Sequence, residues 1–185
     1  MFAGQKIRLR ALEKSDIDNF MGWVNNREIT QYLLAFSVPV SRAFEEKWLE
    51  SAVCHTATDK VFAIETLAGE YLGNCGLHSI DSINRHAELG IVIGNTDYLS
   101  RGYGTDAIQT LLRLAFDSLN LEKVHLRVYS NNTRGIRCYE KCGFEAVGRL
   151  KRHRYVNGQW HDEVMMEVFR GEAIGGLQGG ERRSS

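Results

Sequence analysis

Apolar and polar residues recur along the chain with two different periods, which distinguish predicted strands from predicted helices. Residues 6–12 alternate between charged and apolar side chains and predict an edge strand. Ser15 and Ser41 each precede apolar residues at helical spacing, so both are predicted helix N-caps. In the second of these helices, Phe44, Trp48, Leu49 and Ala52 are predicted to face the core. The first third of the chain therefore predicts one strand followed by two helices.

The remaining pattern predicts six strands and two helices. The strands are expected at about 60–66, 71–79, 89–93, 123–129, 144–151 and 163–169, and the helices at about 105–119 and 133–141. The resulting order, β-α-α-β-β-β-α-β-α-β-β, is typical of the α/β class with strands of mixed direction. We expect one domain over residues 1–170. Residues 171–185 are rich in Gly and Ser and predict a flexible or weakly docked tail.

A short apolar strand, a glycine-containing loop and an amphipathic helix follow one another between residues 87 and 119. The helix is predicted to face the core with its apolar residues Ile108, Leu111, Leu112, Ala115, Phe116 and Leu119. Gly102 and Gly104 lie where the loop enters the helix. Glycines let the backbone approach a ligand closely, and a helix N-terminus carries partial positive charge. The stretch is therefore predicted to bind a phosphate-bearing ligand. Alternatively, the same glycines could simply shape a strand-to-helix turn.

Residues 102–107 also fit the G-x-G-x-x-A fingerprint of dinucleotide-binding domains. That fold requires a long alternating series of strands and helices, with an acidic residue after the next strand. Too few residues follow the loop for such a series, and the next strand ends in Tyr129-Ser130-Asn131. A nucleotide-binding oxidoreductase is therefore a disfavoured alternative.

Charge, hydropathy and cysteine content argue against several classes of binding partner and indicate where the protein is found. Lys plus Arg and Asp plus Glu both number 23, so we expect neither nucleic acid nor an anionic membrane as a partner. The chain has no apolar run long enough for a membrane span and no apolar signal segment, which predicts a cytoplasmic protein. The cysteines form no C-x-x-C pair and the histidines no H-x-x-x-H pair, so no metal is expected. Cys138 and Cys142 share a helix face and are predicted to be reduced packing residues.

Three motifs occur in order along the chain. The strand, loop and helix of residues 88–105 precede Asn131-Asn132, and the hexapeptide Tyr-Glu-Lys-Cys-Gly-Phe follows at residues 139–144. Together they resemble the GNAT (Gcn5-related) N-acetyltransferases, within them the RimJ/RimL-like branch that includes spermidine and ribosomal-protein N-terminal acetyltransferases. The resemblance covers residues 6–170. It implies an α/β (α+β) GNAT fold, with a mixed, mostly antiparallel sheet of six to seven strands, a splayed central strand pair and about four helices.

The resemblance also implies acetyl-CoA as a co-substrate. The family's Q/R-x-x-G-x-G/A phosphate motif falls on residues 99–104, where Leu99 stands in place of Gln or Arg. In the family, backbone N–H groups of this loop hold the pyrophosphate, and the pantetheine arm pairs like an extra strand with the central strand. The residues implied for cofactor binding are Ile91, Val92, Ile93, Leu99, Ser100, Arg101, Gly102, Tyr103, Gly104, Thr105 and Asn132.

Two residues match the family's catalytic positions. Tyr139 matches the general-acid tyrosine that protonates the departing thiolate, with a simple packing role as its alternative. Glu88 matches the branch's glutamate and could accept the amine proton, directly or through a water. Alternatively, Glu88 is a structural carboxylate paired with Arg85 or Arg127.

Other groups complete the expected chemistry. The backbone N–H of Val92 or Ile93 is placed to donate to the thioester oxygen as it gains charge. His78 and His86 are further candidates for a base. The expected reaction is acetyl transfer to a primary amine through a ternary complex. The alternative is a catalytically silent acyl-CoA-binding or sensing module.

The acceptor is harder to predict. Family geometry implies that residues 25–38 and 152–162 surround it. The aromatic residues expected there are Trp23, Tyr32, Phe36, Tyr155 and Trp160. The acceptor is expected to be a small-molecule amine or a protein N-terminus, and a homodimer is a family expectation.

Overall fold

An eight-stranded sheet forms the centre of the computed structural model, which describes residues 2–33, 38–54, 56–156 and 158–173. The strands are β1 (Phe2–Ala3), β2 (Ile7–Arg10), β3 (Lys60–Thr66), β4 (Tyr71–Asp81), β5 (His86–Ile93), β6 (Lys123–Tyr129), β7 (Glu145–Val156) and β8 (Gln159–Phe169). The helices are α1 (Ile17–Val24), α2 (Arg27–Thr30), α3 (Arg42–Val53), α4 (Tyr103–Arg113) and α5 (Thr133–Glu140). Phe36, and the predicted tail beyond residue 173, lie outside the described residues.

The predicted α/β class and mixed sheet are confirmed. The strand order is β1-β2-β3-β4-β5-β6-β8-β7, and β5 and β6 pair in parallel. The other described pairs are antiparallel. The sheet has one strand more than the expected upper limit of seven because the two-residue β1 pairs with β2 at its edge.

The first helix is not capped by Ser15 as predicted. Ser15 lies inside a 3₁₀ turn of residues 14–16. Asp16 holds this turn instead, because its buried carboxylate accepts the backbone N–H of Glu13 at 2.9 Å and two guanidinium N–H groups of Arg10 at 2.8 Å each. Helix α1 is therefore positioned by an ion pair to β2 rather than by a serine cap.

Helix α3 begins as predicted but presents a different face to the core. Ser41 caps it, accepting the backbone N–H of Phe44 at 3.3 Å. The prediction that Phe44 faces the core is wrong, since it is 60% exposed, and Trp48 is 36% exposed. Leu49 is buried as predicted, and Glu45 takes the buried position expected for Phe44. The core-facing stripe of the first turn thus lies one position further along, which brings a carboxylate inward.

The longest predicted helix is α4 continued by a π-helical segment at Leu114–Ser118. Ile108 and Leu111 are buried as predicted and pack on one face of the sheet. Helices α1 and α3 cover the other face of β3, where Phe20, Leu49 and Ala63 share a second cluster. None of the described helices is long and apolar enough to cross a membrane.

The central strands β5 and β6 separate part-way along the sheet. Their parallel ladder ends at Glu88↔His125, whereas β5 pairs with β4 as far as Ile93. One edge of β5, from Leu89 to Ile93, is therefore left without a strand partner among the described strands. This is the splayed central pair that the resemblance implied.

Candidate active site

The gap between β5 and β6 opens into a cavity of about 940 Å³, called the central cavity below. Its volume is in the range of sites that enclose large ligands. Both predicted catalytic residues and most predicted cofactor residues line it. They are Glu88, Tyr139, Ile91, Val92, Ile93, Leu99, Ser100, Gly102, Gly104, Thr105 and Asn132. Arg101 and Tyr103 lie outside the lining: Arg101 is exposed, and Tyr103 packs edge-on against Tyr98 with 4.9 Å between ring centroids.

The loop before α4 has a backbone conformation that suits an anion. Ser100 has φ +59° and Gly102 has φ +86°, so both lie in the left-handed region that glycine enters without steric cost. Helix α4 begins directly after Gly102, and its first N–H groups have no intrahelical carbonyl partner. These donors and the positive end of the helix dipole lie at the wall of the central cavity.

A contact between distant parts of the chain supports this loop and was not predicted. Asp106, in the first turn of α4, accepts the backbone N–H groups of Gln5, Lys6 and Ile7 at 3.0, 2.7 and 3.0 Å. The Lys6 ammonium in turn donates to the carbonyl of Arg101 at 2.8 Å. Because Lys6 and Asp106 are 100 positions apart, no local sequence pattern predicts their contact.

Asn132 has a structural role in addition to its predicted one. Its side-chain oxygen caps α5 by accepting the backbone N–H of Gly135 at 2.9 Å. A Cβ at position 135 would lie 2.7 Å from the Asn132 amide nitrogen, so glycine is needed for this close approach. The amide N–H groups of Asn132 have no partner among the described residues, and the side chain lines the central cavity.

Tyr139 lies near the end of α5 with its ring against Phe144, at 5.9 Å between centroids. Burial raises the pKa of Tyr139, and Cys138 and Cys142 raise it further. Within the described part of the chain its hydroxyl makes no hydrogen bond. The phenol therefore stays protonated, and its O–H is available to a ligand.

Thr105 contacts both Cys138 of α5 and Cys142, which lies in the turn just after that helix. Its hydroxyl is 3.3 Å from the Cys138 sulfur, and its carbonyl accepts from the Cys142 thiol at 3.7 Å. The neighbouring Cys142 thiol and the Thr105 hydroxyl lower the pKa of Cys138 to about 7. The Cys138 thiol and burial raise the pKa of Cys142. Cys142 is fully buried, as a packing residue would be, whereas Cys138 lines the central cavity.

Glu88 is both ion-paired and accessible from the central cavity. Its carboxylate accepts from the Arg127 guanidinium at 2.9 and 3.3 Å, and its side chain is 24% exposed. Of the two candidate partners, Arg127 is therefore correct and Arg85 is wrong. Arg85 instead pairs with Glu122 at 3.3 Å, and these two residues directly precede β5 and β6.

The two candidate histidines differ in position. His78 lines the central cavity, with its Nδ1 3.1 Å from a carboxylate oxygen of Asp59. His86 is not among the lining residues and packs against His125, at 5.6 Å between ring centroids. The structure thus retains only His78 of these two as a second base candidate. Within the described residues, no group of three or more His, Cys, Asp or Glu side chains could hold a metal ion.

Helices α1 to α3 supply another part of the cavity wall. Of the predicted acceptor residues, Trp23 and Tyr32 line it. Tyr155 and Trp160 do not: both are more than half exposed and pack on each other across the β7–β8 hairpin, at 5.2 Å between centroids. The predicted segment 152–162 therefore reaches the cavity through Arg154, which lines it, and not through these two aromatic residues.

Glu28 of α2 lies in the predicted acceptor segment 25–38 and lines the cavity. Trp48 and Glu45 of α3 also line it, and the sequence did not indicate them as wall residues. Burial raises the pKa of Glu45, which is 1% exposed, and its Oε1 has no hydrogen-bond partner among the described residues. Little in the sequence indicated Glu45. The aromatic residues Phe44 and Trp48 have helical spacing, so they were predicted to form the buried face of α3 in place of Glu45.

The sequence matches the family of the acetyltransferase (GNAT) domain over residues 6–145. The chain belongs to the GNAT acetyltransferase family. It is 29% identical over 169 residues to the spermidine N(1)-acetyltransferase of Vibrio cholerae serotype O1, covering 91% of this chain and 96% of that protein. It is 30% identical over 169 residues to the spermidine N(1)-acetyltransferase of Escherichia coli K12, covering 91% and 89%. The crystal structure of the Vibrio cholerae spermidine N-acetyltransferase in complex with CoA and spermine superposes with a TM-score of 0.82 at 29% identity, covering 90% of this chain and 96% of that chain.

The predicted family is thereby confirmed, and the named relatives come from the spermidine acetyltransferase part of the predicted branch. This GNAT acetyltransferase is an acetyl-CoA-dependent N-acetyltransferase. Neither the oxidoreductase nor the silent-module alternative is supported by these relatives.

Proposed function

We propose that this acetyltransferase transfers the acetyl group of acetyl-CoA directly to a primary amine of an aliphatic di- or polyamine, with both substrates bound at once. One observation carries the proposal. The glycine loop, the unpaired edge of β5, Glu88 and Tyr139 all line a single cavity. The relative from Vibrio cholerae was crystallised with CoA and spermine, which supports the binding of a CoA thioester and a polyamine by this chain as well.

The residues of the central cavity fit acetyl-CoA. The left-handed Gly102 and the first N–H groups of α4 suit a pyrophosphate, and Lys6 and Arg101 add positive charge beside them. The unpaired edge of β5 from Leu89 to Ile93 suits an arm that carries amides, because such an arm can pair as an added strand. The amide N–H groups of Asn132 are available to the same arm.

Replacing Gly102 with valine is expected to raise the KM for acetyl-CoA about tenfold or more, because a left-handed non-glycine residue costs about 1–3 kcal/mol and the loop relaxes away from its binding conformation. The new Cβ would also lie 3.4 Å from the Lys6 ammonium. The measurement is the KM for acetyl-CoA, with the Kd of CoA by calorimetry.

Gly158→Val is the matched control for Gly102→Val. Gly158 has φ +79° with open space around it, so the strain is similar but lies far from the loop. Equal KM values for the two variants would show that the left-handed position at residue 102 does not serve cofactor binding.

The residues of the cavity can supply each proton and each donor that the transfer needs. When bound, acetyl-CoA supplies an activated thioester. Glu88 accepts a proton from the attacking amine, directly or through a water, and the backbone N–H of Val92 or Ile93 donates to the carbonyl oxygen as it gains charge. Tyr139 donates its phenolic proton to the departing thiolate sulfur as the carbon–sulfur bond breaks. No covalent acyl-enzyme is needed.

The wall formed by α1 to α3 suits an aliphatic cation. Trp23, Tyr32 and Trp48 line it, and aromatic rings attract ammonium groups. The Tyr32 ring already has a cation over it, the Arg134 guanidinium at 5.7 Å from the ring centroid. Glu28 and Glu45 add carboxylates to the same wall. A di- or polyamine can place one amine at Glu88 and another against this wall, which a simple monoamine cannot do.

A thiol-release assay tests the proposal. Acetyl-CoA is combined with spermidine, a short diamine, an amino sugar, an aminoglycoside and peptides with free N-termini. We expect the highest kcat/KM with spermidine or the diamine, and initial-rate plots that intersect as a ternary complex requires. Release with peptides alone would overturn the acceptor class, and parallel plots would overturn direct transfer.

A further inference from the structure

Four charged side chains of alternating sign run across neighbouring strands beside the central cavity. Glu88 on β5 pairs with Arg127 on β6 at 2.9 Å. The other side of the Arg127 guanidinium lies 3.7 Å from Glu163 on β8, and Glu163 accepts from Arg154 on β7 at 2.8 Å. These four residues are called the charge row below. Glu88, Arg127 and Arg154 line the cavity, and Glu163 lies behind them.

Glu163 is the unusual member of the charge row. It is fully buried, with 0% exposure, and its Oε1 has no hydrogen-bond partner among the described residues. A buried carboxylate with an unsatisfied oxygen is costly, so its presence calls for an explanation. The nearest cation to that oxygen is Nη1 of Arg127, the arginine that holds Glu88.

The backbone brings Arg154 to Glu163 by an irregularity in β7. The β7–β8 register shifts between Leu150 and Arg154, so the strand bulges at residues 151–153. The backbone N–H of Arg152, which has φ +49°, donates to Asp162 at 2.8 Å and holds the bulge. The bulge places a second arginine against a carboxylate that already faces Arg127, so both cations share one buried anion.

We infer that Glu163 is a positioning residue of the acetyl transfer. It anchors the free side of Arg127, so that the opposite side presents Glu88 to the amine in one orientation. The inference rests on the role proposed above for Glu88, and it assigns Glu163 no contact with either substrate.

A double-mutant cycle tests the inference. Glu163→Gln is nearly isosteric and removes the charge. We expect it to lower kcat/KM for the amine about tenfold, a typical coupling within one charge network, and to leave the KM for acetyl-CoA within about twofold. In a Glu88→Gln background, the same Glu163→Gln change should lower kcat/KM less than about twofold, because the group through which it acts is gone.

Glu167→Gln is the matched control. Glu167 lies on the same strand and face as Glu163 but pairs with Lys123 at 3.2 Å, outside the cavity lining. It should leave kcat/KM for the amine unchanged. If Glu163→Gln fails to fold, Glu163→Asp keeps the charge but withdraws the carboxylate, and it enters the same cycle with a smaller expected loss of about threefold.

The outcomes separate the inference from the proposed function. Equal losses from Glu163→Gln in both backgrounds, or a matching rise in the KM for acetyl-CoA, would overturn the positioning role and leave Glu88 as the base. If Glu88→Gln is itself without effect on the amine, the proposed role of Glu88 fails, and the inference fails with it.

Discussion

Replacing Tyr139 with phenylalanine is expected to lower kcat by about one to three orders of magnitude, the scale of general-acid catalysis. The change removes one hydroxyl that has no protein partner among the described residues, so it should cost little stability. The ring would still pack against Phe144. Because burial raises the pKa of Tyr139, the wild-type phenol carries its proton over the working pH range. Loss of that donor should therefore appear in kcat rather than in cofactor binding.

The measurement for Tyr139→Phe is kcat at saturating acetyl-CoA and amine, with the Kd of CoA by calorimetry. Tyr155→Phe is a suitable control, because Tyr155 is 62% exposed on β7 and lies outside the cavity lining. It should leave kcat unchanged. If Tyr139→Phe also leaves kcat unchanged, then Tyr139 is a packing residue and another group protonates the thiolate.

Glu88→Gln is expected to lower kcat/KM for the amine about a hundredfold near neutral pH, within the range of general-base effects. An aliphatic amine with a pKa of about 10 is almost wholly protonated at neutral pH, so a group that takes its proton is needed. The variant can use only the small fraction of amine that is already neutral. Its kcat/KM should therefore rise about tenfold per pH unit up to the pKa of the amine, since that fraction rises by the same factor.

The measurement for Glu88→Gln is a pH profile of kcat/KM for the amine beside the KM for acetyl-CoA. Glu122→Gln is the matched control, because Glu122 also pairs with an arginine, Arg85, but outside the cavity lining. A profile for Glu88→Gln parallel to that of the wild type would mean that Glu88 is only the structural partner of Arg127. In that case His78, which also lines the cavity, would be the next base to test.

Local chemistry made the glycine loop and the helix after it predictable. The glycine at position 102 was expected where the backbone enters a helix, and it has φ +86° there. The apolar spacing after it was expected to bury Ile108 and Leu111, and both are buried. Such features depend on a few consecutive residues, so the sequence carries them directly.

Contacts across strands were not predictable in the same way. Two arginines were equally available to Glu88 in the sequence. The parallel register places His125 beside Glu88, so Arg127 follows on the same face two residues later. Arg85 lies just before β5 and turns to Glu122 instead. The choice between them therefore depended on strand pairing.

The acceptor side was predicted least well for a related reason. Its wall combines Trp23, Glu28 and Glu45 from three short helices, and the rotation of α3 decided which side chain of that helix faces inward. A shift of one position exchanged the predicted Phe44 for Glu45. The cavity wall therefore carries a carboxylate where an apolar ring was predicted.

The sequence by itself determined the family, the α/β order of elements and the glycine loop at the start of α4, and it proposed Glu88 and Tyr139 as candidate catalytic residues, because these depend on local periodicity and short motifs. Only the tertiary structure decided that Glu88 pairs with Arg127, that Glu163 lies buried behind that pair, and that Lys6 supports a loop 95 positions away. Those contacts depend on strand register, on a bulge and on helix rotation. These are set by how the whole core packs, so no short stretch of sequence contains them.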